Sequence, residues 1–351
     1  MKGSLIKMKY QIQSSILVGA TGLALSLLLN PAAANAAERT VNCTRDSSTF
    51  STINAAILAS IAGDKITVCP GIYPENVVVN RNNLKIQAEV CGAAKVVPGN
   101  AAIPGFQVLG DGNTIKGFAI SGFSVGVSVL SPFGGTILLK NIIFDNVTGI
   151  NINNSFNNVV KANIVMDNSG NGIIDVLTLA ISQSQENKYL ENDIEYNGVN
   201  GLFLITTTTP PSTVTRARII DNTINNNGEN GIRLNDTSAV KILDNDLSFN
   251  GTDGLELFGV STNNRIIANH ANRNGASITL CGPLLGAGNC TGIRLHSLSV
   301  DNTLRQNTAK GNLVWDVQDN STGTQTAGTG NTWEKNRCKN DSPDGLCENG
   351  T

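Results

Sequence analysis

Charged and aromatic side chains are scarce in this sequence, and each shortage excludes a class of function. Only 15% of the 351 residues are charged, the formal net charge is −2, and basic and acidic residues are intermixed. No basic footprint for a nucleic acid is present. Aromatic residues make up only 5%, so the core must be built from Ile, Val and Leu. Only two His residues occur, and no Cys spacing resembles a zinc site. We therefore expect neither a nucleic-acid partner nor a metal ion.

Long apolar runs are absent except at the N-terminus. There, a start with several Lys precedes an apolar stretch over residues 16–29 and the small-residue cleavage signal "ANA". This order predicts a secretory signal peptide over residues 1–36. A membrane anchor is the alternative, but the run is short for a spanning helix and Gly and Thr interrupt it. We expect residues 37–351 to form a secreted or cell-surface domain, monomeric and without a membrane span.

The chain has seven Cys, and export permits them to form disulfide bonds. The spacing suggests three disulfide pairs and leaves Cys91 without a partner. A Cys69–Cys91 bond is an alternative to the Cys43–Cys69 pair. Connectivity is not fixed by sequence. The suggested pairs are Cys43–Cys69, Cys281–Cys290 and Cys338–Cys347.

Asparagine is abundant, with 46 residues, and it recurs at fixed places in an internal repeat. The shortest spacings between these Asn are 22 to 24 residues, and longer ones of 29, 30 and 38 indicate insertions. A Gly follows eight or nine residues after each of the first five, and Gly117 and Gly126 extend the Asn and Gly columns upstream. The Asn column is Asn141, Asn163, Asn192, Asn222, Asn245 and Asn269, followed by Asn307, and the Gly column is Gly149, Gly172, Gly201, Gly231 and Gly254.

Each repeat contains two or three runs of three to six residues that alternate apolar with polar, which predicts short strands. A leucine-rich repeat needs a regular Leu pattern that this chain lacks, and a propeller blade needs a longer repeat. We predict an all-β fold, a single-stranded right-handed parallel β-helix of roughly nine or ten coils. The Asn column would form a structural ladder at a corner. The predicted inward residues are Ile150, Ile152, Ile173, Leu202, Leu204, Ile232, Leu234, Leu255, Leu257, Ile293 and Leu295.

Both ends of such a stack need caps. "FSTINAAILASIAGD" predicts an amphipathic capping helix over residues 51–62, with Ser51 as its N-cap and Gly63 at its end. Residues 331–351, with their Cys pair, would form the C-terminal cap. A loop insertion is expected over residues 276–291. The apolar face of the helix would consist of Ile53, Ala56, Ile57 and Ile61.

"GDKITVCPGIYPENVVV", residues 63–79, resembles the opening coil of many secreted right-handed β-helix proteins. The Asn/Gly repeats resemble those of the pectate-lyase-like superfamily. The resemblance covers residues 40–340 and implies the fold. The superfamily includes lyases, hydrolases, epimerases and adhesins, so the fold does not give the function.

The catalytic signatures of the superfamily are missing. The chain has no Asp-Asp, no Gly-His-Gly and no Asp-Pro-His. Its only Arg-x-Lys, Arg337 to Lys339, lies in the C-terminal cap. Pectate lyases hold calcium with clustered carboxylates, whereas the acidic residues here are scattered. We therefore expect no cofactor, with calcium entering only if the protein is a lyase.

One candidate site remains when the Gly column sets the strand register. Residues two and four positions after each Gly should point outward on one sheet, which brings charged and aromatic residues of successive coils together. Such a face could bind a polysaccharide or, through an Arg or His base, act on it. Cross-strand ion pairing on a solvated sheet is the simpler interpretation. The candidate residues are Phe203, Arg233, Glu256, Phe258, Arg294 and His296.

Two functions are compatible with the sequence. The first is a non-catalytic extracellular scaffold that binds polysaccharide or the cell surface, and the lack of an acidic cluster favours it. The second is a lyase or epimerase acting on uronate polymers, with Arg233, Glu256, Arg294 and His296 as the catalytic candidates.

Overall fold

A computed structural model describes residues 36–43, 49–178, 185–207, 215–275, 281 and 290–349. The predicted signal peptide lies outside these residues except for Ala36, and the predicted insertion lies outside them except for Cys281, Cys290 and Thr291. Neither described helix is long and apolar enough to cross a membrane.

The predicted parallel β-helix is confirmed. Three parallel sheets run along one solenoid, and each coil contributes to them in turn. Sheet 1 has twelve strands: Glu38–Val41, Lys65–Val68, Lys85–Ala88, Thr114–Lys116, Ile137–Leu139, Val159–Lys161, Lys188–Leu190, Arg218–Ile220, Lys241–Leu243, Arg265–Ile267, Thr303–Arg305 and Thr332–Glu334.

Sheet 2 has eleven strands: Val77–Val79, Phe106–Val108, Val125–Leu130, Thr148–Asn153, Ile173–Leu177, Leu202–Thr206, Ile232–Asn235, Leu255–Phe258, Ile293–Leu295, Val317–Asp319 and Asp341–Ser342. Sheet 3 has six: Gly71–Pro74, Ala94–Val97, Ala119–Ser121, Ile142–Phe144, Ile164–Met166 and Asp193–Glu195. Beyond Asp193 its side continues as single bridges through Thr223, Asp246, His270, Thr308 and Arg337.

The number of coils agrees with the expected nine or ten. The first strand of sheet 1 precedes the capping helix and its last strand lies in the C-terminal cap, so removing these two from twelve leaves ten. The C-terminal cap also contains a two-stranded sheet, Arg337–Cys338 with Glu348–Asn349, and a short 3₁₀ helix, Thr326–Gly328, precedes it. All eleven predicted inward residues are buried in one continuous core.

The capping helix is shorter than predicted, Ile53–Ala59 instead of 51–62. Thr52, not Ser51, is the N-cap, because its side chain accepts a hydrogen bond from the Ala55 amide. Ser60 is extended and ends the helix, so Ile61 falls outside the apolar face and is 46% exposed. Gly63 lies in the turn that follows.

Glu75 explains the turn that carries the family resemblance. Its carboxylate accepts hydrogen bonds from the amides of Ile53 and Asn54, at 2.8 and 3.1 Å. It therefore satisfies free N–H groups at the start of the capping helix, where negative charge is favourable. The same turn places Tyr73 inside the core, where its hydroxyl donates to the Cys69 carbonyl.

The Asn ladder is present as predicted. In each step the Oδ1 atom of one Asn accepts from both the backbone N–H and the Nδ2 of the Asn in the preceding coil; Asn222 accepts both bonds from Asn192 at 2.9 Å. The ladder continues to Asn307 and Asn336. Every member is buried, so the column satisfies corner groups that water cannot reach.

Two details of the corner differ from the prediction. The left-handed residues are those just before each ladder Asn, such as Lys140 and Asp221, rather than the Asn themselves. Gly117, at φ +78°, aligns with Lys140, so the ladder position upstream is Phe118, not Gly117. Asn was selected here for its side-chain hydrogen bonds rather than for its backbone.

A second Asn ladder, which the sequence analysis missed, runs five residues after the first. Its members lie at the next corner, and the repeated pattern Asn-x₄-Asn was its signal. The Gly column packs against it: a Cβ on Gly201 would lie 2.7 Å from Asn227 Nδ2. The members of the second ladder are Asn146, Asn168, Asn197, Asn227, Asn250, Asn274 and Asn312.

The structure contains the three suggested disulfide bonds, Cys43–Cys69, Cys281–Cys290 and Cys338–Cys347. Cys91 is free and exposed. The competing Cys69–Cys91 pairing is therefore not formed.

Candidate functional site

The predicted outward residues form two adjacent rows on sheet 2. Successive strands place Phe203 beside Arg233, Arg233 beside Glu256, and Glu256 beside Arg294. Phe258 and His296 lie two residues further along their strands. All six predicted site residues therefore come together, and we call them the sheet 2 patch.

Glu256 is the centre of the sheet 2 patch. Its Oε1 atom lies 2.6 Å from Arg294 Nη2 and 2.9 Å from His296 Nε2. Its Oε2 atom lies 3.2 Å from Arg233 Nε and accepts a hydrogen bond from Asn230. Burial disfavours the charged carboxylate, but the His296 hydrogen bond and the charges of Arg294 and Arg233 outweigh it, so the pKa of Glu256 is lowered.

Arg294 is held by a second carboxylate that the sequence analysis missed. Its Nε donates to Asp253 Oδ2 at 2.8 Å, and its Nη2 lies 2.5 Å from the same oxygen. Asp253 also accepts from the amides of Cys290 and Thr291, the last residues of the predicted insertion. The place of Asp253 directly before Gly254 of the Gly column was visible in the sequence, but its contact with Arg294 was not.

Two aromatic rings lie beneath the guanidinium of Arg233. Its Cζ atom is 5.6 Å from the centre of the Phe203 ring and 5.1 Å from that of Phe258. Phe258 also meets the His296 ring edge-on, with centroids 4.7 Å apart. The cation–π contacts and the Glu256 ion pair fix Arg233 in one orientation.

Exposure divides the sheet 2 patch into two layers. The side chains of Glu256 and Arg294 are only 5% and 10% exposed, whereas those of Arg233 and His296 are 28% and 27% exposed. Phe258 is 38% exposed. Asp253, Glu256 and Arg294 form the buried lower layer of the patch. Arg233, Phe258 and His296 form the upper layer, which a ligand can touch.

This geometry limits the chemistry of the site. Asp253 and Glu256 engage the Arg294 guanidinium, and the side chain is only 10% exposed, so Arg294 does not reach a substrate as a lyase base. Calcium does not fit either, because both carboxylates are already neutralised by guanidinium groups and a calcium ion needs six or more oxygen ligands.

Sheet 2 also carries buried amide oxygens without partners. Within the described ranges, Oδ1 of Asn151, Oδ1 of Asn235 and Oε1 of Gln318 are buried and have no hydrogen-bond partner. Asn151 and Gln318 belong to the same outward row as Arg233, and Asn235 lies beside Phe258. Because these oxygen atoms are buried, a ligand lying along the sheet does not touch them.

A further carboxylate, Asp175, points into the solenoid where neighbouring coils have Ile152 and Leu204. It accepts hydrogen bonds from Gln185, Asn187 and the Tyr189 hydroxyl, the last at 2.6 Å. Burial raises the pKa of Asp175 to about 6. This residue cannot meet a ligand. Its inward direction could have been predicted, because it lies three residues after Gly172, as the predicted inward residues Ile152 and Leu204 lie three residues after Gly149 and Gly201.

Comparisons with known proteins agree with this architecture. Residues 178–337 match the family model described as "Right handed beta helix region". The search of curated proteins found no match.

Solved structures with the same fold are similar at low sequence identity. ORF18 of Geobacillus virus E2 is 14% identical with a TM-score of 0.59; the alignment covers 84% of this chain and 58% of that one. DFA-IIIase from Arthrobacter chlorophenolicus A6 is 12% identical with a TM-score of 0.55, covering 80% and 77%. The pectate lyase Pel9A is 16% identical with a TM-score of 0.50, covering 88% and 77%.

This chain thus spans little more than half the length of the virus protein, and at such identities the likeness concerns the fold alone. The neighbours include carbohydrate-active enzymes and a phage protein. The chain is a right-handed parallel β-helix protein with a pectate-lyase-like fold.

Proposed function

We propose that this is a non-catalytic extracellular protein that binds a polysaccharide on the sheet 2 patch. The observation that carries the proposal is the guanidinium of Arg233, which lies over both Phe203 and Phe258 while Glu256 holds it in place. A rigid, half-exposed platform of aromatic rings and a guanidinium is suited to stacking against a sugar ring.

The polar groups around the platform support the same ligand class. Arg233 and His296 are partly exposed and offer donors. A sugar hydroxyl accepts as well as donates, so a glycan can pair with these donors. Two guanidinium groups face two carboxylates, so the patch has little excess charge when His296 is neutral. Its binding should therefore depend weakly on salt.

The alternative function, a lyase or epimerase on uronate polymers, has less support. Arg294 is engaged by Asp253 and Glu256 and is nearly buried, so it does not reach a substrate. The predicted signal peptide and the disulfide bonds support the extracellular location.

Affinity electrophoresis of the secreted protein in polygalacturonate, alginate, glucuronan and neutral galactan tests the proposal, with and without calcium. Absorbance of the unsaturated product is followed in the same mixtures. We expect retardation by at least one polymer, no product, and binding about tenfold weaker after Phe203→Ala with Phe258→Ala. The double change removes the sugar contact of Phe258 and both rings beneath Arg233, which together contribute about 1–3 kcal/mol.

Phe249→Ala is the matched control, because Phe249 is an exposed ring beneath Arg273 at a different place on the coil. It should leave binding unchanged. Product formation that disappears in Arg233→Met, which leaves the buried Arg294 pairs intact, would instead make the protein an enzyme. Retardation by none of the polymers would remove the binding proposal.

A further inference from the structure

A second outward surface, on sheet 1, carries four basic residues in consecutive coils. Strand pairing places Lys188 beside Arg218, Arg218 beside Lys241, and Lys241 beside Arg265. Adjacent strands in a sheet are about 4.8 Å apart, so the four charges span about 14 Å in a straight line. We call Lys188, Arg218, Lys241 and Arg265 the basic row.

The basic row is not neutralised by the protein. Among the residues that the structure describes, none of its four members lies within 4.0 Å of a carboxylate. The nearby Glu186 pairs instead with Arg216, at 3.6 Å. Like charges that face each other on neighbouring strands destabilise a sheet, so a regular run of four is an arrangement that an anionic ligand would stabilise.

The basic row is accessible and borders a recess. Arg218, Lys241 and Arg265 are exposed and Lys188 is half-buried. The recess has a volume of about 300 Å³ and is lined by Glu186, Lys188, Arg216, Arg218, Ala239 and Lys241.

A parallel apolar row accompanies the charges. Two residues further along the same strands, Leu190, Ile220, Leu243 and Ile267 also stack in register and point outward. Each is half-buried. The face therefore offers one charge and one apolar side chain per coil, repeated along the axis.

We infer that the basic row binds a linear acidic polysaccharide that runs along the solenoid axis, as a site separate from the sheet 2 patch. Each sugar of such a chain carries a carboxylate and an apolar ring face, and its repeat is comparable to the spacing of the coils. Carboxylates would then pair with successive Lys and Arg side chains while the ring faces rest on the aliphatic row.

The flanking charges favour a narrow polymer over an anionic membrane. Glu191, Asp221 and Asp244 are exposed just beyond the ends of the same strands, about 10 Å from the basic row. A flat anionic surface would meet these acids together with the basic row, whereas a single chain along the axis can contact the cations alone.

The test compares Arg218→Gln/Lys241→Gln with the control Lys95→Gln/Lys310→Gln, which removes the same charge from exposed residues elsewhere. The probe is fluorescently labelled polygalacturonate, with its fully methyl-esterified form as the uncharged reference, at low salt and at about 0.2 M salt. Fluorescence anisotropy gives the affinity, and thermal unfolding of each variant checks the fold.

We expect Arg218→Gln/Lys241→Gln to bind polygalacturonate about three- to tenfold more weakly at low salt, and the gap to close as salt rises. The control should bind like the wild type, and the esterified polymer should not distinguish the two. Equal affinity of variant and control would overturn the inference. The inference would also be overturned if binding to phosphatidylserine vesicles required the basic row while binding to polygalacturonate did not. The Phe203→Ala/Phe258→Ala variant retains the basic row. Binding by the basic row can therefore be measured even when the sheet 2 patch no longer binds.

Discussion

The outward faces of sheet 1 and sheet 2 are built by the same stacking of coils, but they differ in the signs of neighbouring charges. On sheet 2, consecutive coils place Arg233, Glu256 and Arg294 side by side, so the signs alternate. On sheet 1, the corresponding neighbours Arg218, Lys241 and Arg265 all have one sign. In a β-helix, one substitution per coil therefore decides whether a charged row stabilises the protein or remains available for a ligand.

The largest expected effect comes from removing the cation of the buried pair. Arg294→Met leaves Asp253 and Glu256 without their shared partner, and breaking a buried pair costs about 3–5 kcal/mol. Urea unfolding should show this loss. The matched change on the other face, Arg265→Met, should stay within about 0.5 kcal/mol. Similar losses in the two variants would mean that the faces do not differ in charge pairing.

The Asn ladder lies outside both faces and should support them equally. Asn222→Ala leaves the backbone N–H and the Nδ2 of Asn192 buried without an acceptor, which costs about 3 kcal/mol in the free energy of unfolding. Asn320→Ala, at an exposed Asn, is the control. A loss as small as that of the control would remove the ladder from the account of stability.

Acid should weaken the sheet 2 patch through Glu256. The pKa of Glu256 is lowered in the folded protein, so its ionised form contributes stability that is present above its ordinary pKa of about 4.5 and is lost as pH falls through the folded pKa. Glu256→Gln should be less stable than the wild type at pH 7, and the difference should shrink below about pH 4.5. A difference that is constant with pH would contradict this assignment.

The smallest expected effect comes from a substitution that gives sheet 1 a charge pattern like that of sheet 2. Lys241→Glu gives sheet 1 the alternating signs of sheet 2, between Arg218 and Arg265. We expect a gain of about 0.2–1 kcal/mol in unfolding free energy, together with weaker binding of polygalacturonate. Lys241→Gln separates the removal of repulsion from the new attraction. A loss of stability in Lys241→Glu would show that repulsion within the basic row is negligible.

The sequence was sufficient for the architecture because a coil repeats its constraints. The Gly column fixed the register of sheet 2, and that register placed Arg233, Glu256 and Arg294 in one row. Alternation then separated Ile232 and Leu234, which are buried, from Arg233. The Asn column predicted the first ladder for the same reason, and the second was equally regular but was overlooked.

Features that depend on a single turn or side chain could not be predicted in the same way. Asp253 reaches Arg294 from a turn. The helix ends at Ala59 because Ser60 adopts an extended backbone. No periodic pattern specifies these choices, since each depends on contacts made after the coils have stacked.

The most direct test of the two-face account measures polymer retardation for three proteins at low salt and at about 1 M salt, where charges more than about 3 Å apart are screened. These are the wild type, Phe203→Ala/Phe258→Ala and Arg218→Gln/Lys241→Gln. The account predicts that the aromatic variant loses the salt-resistant retardation and the cationic variant loses only the salt-sensitive part. Equal loss of both components in the two variants would contradict it.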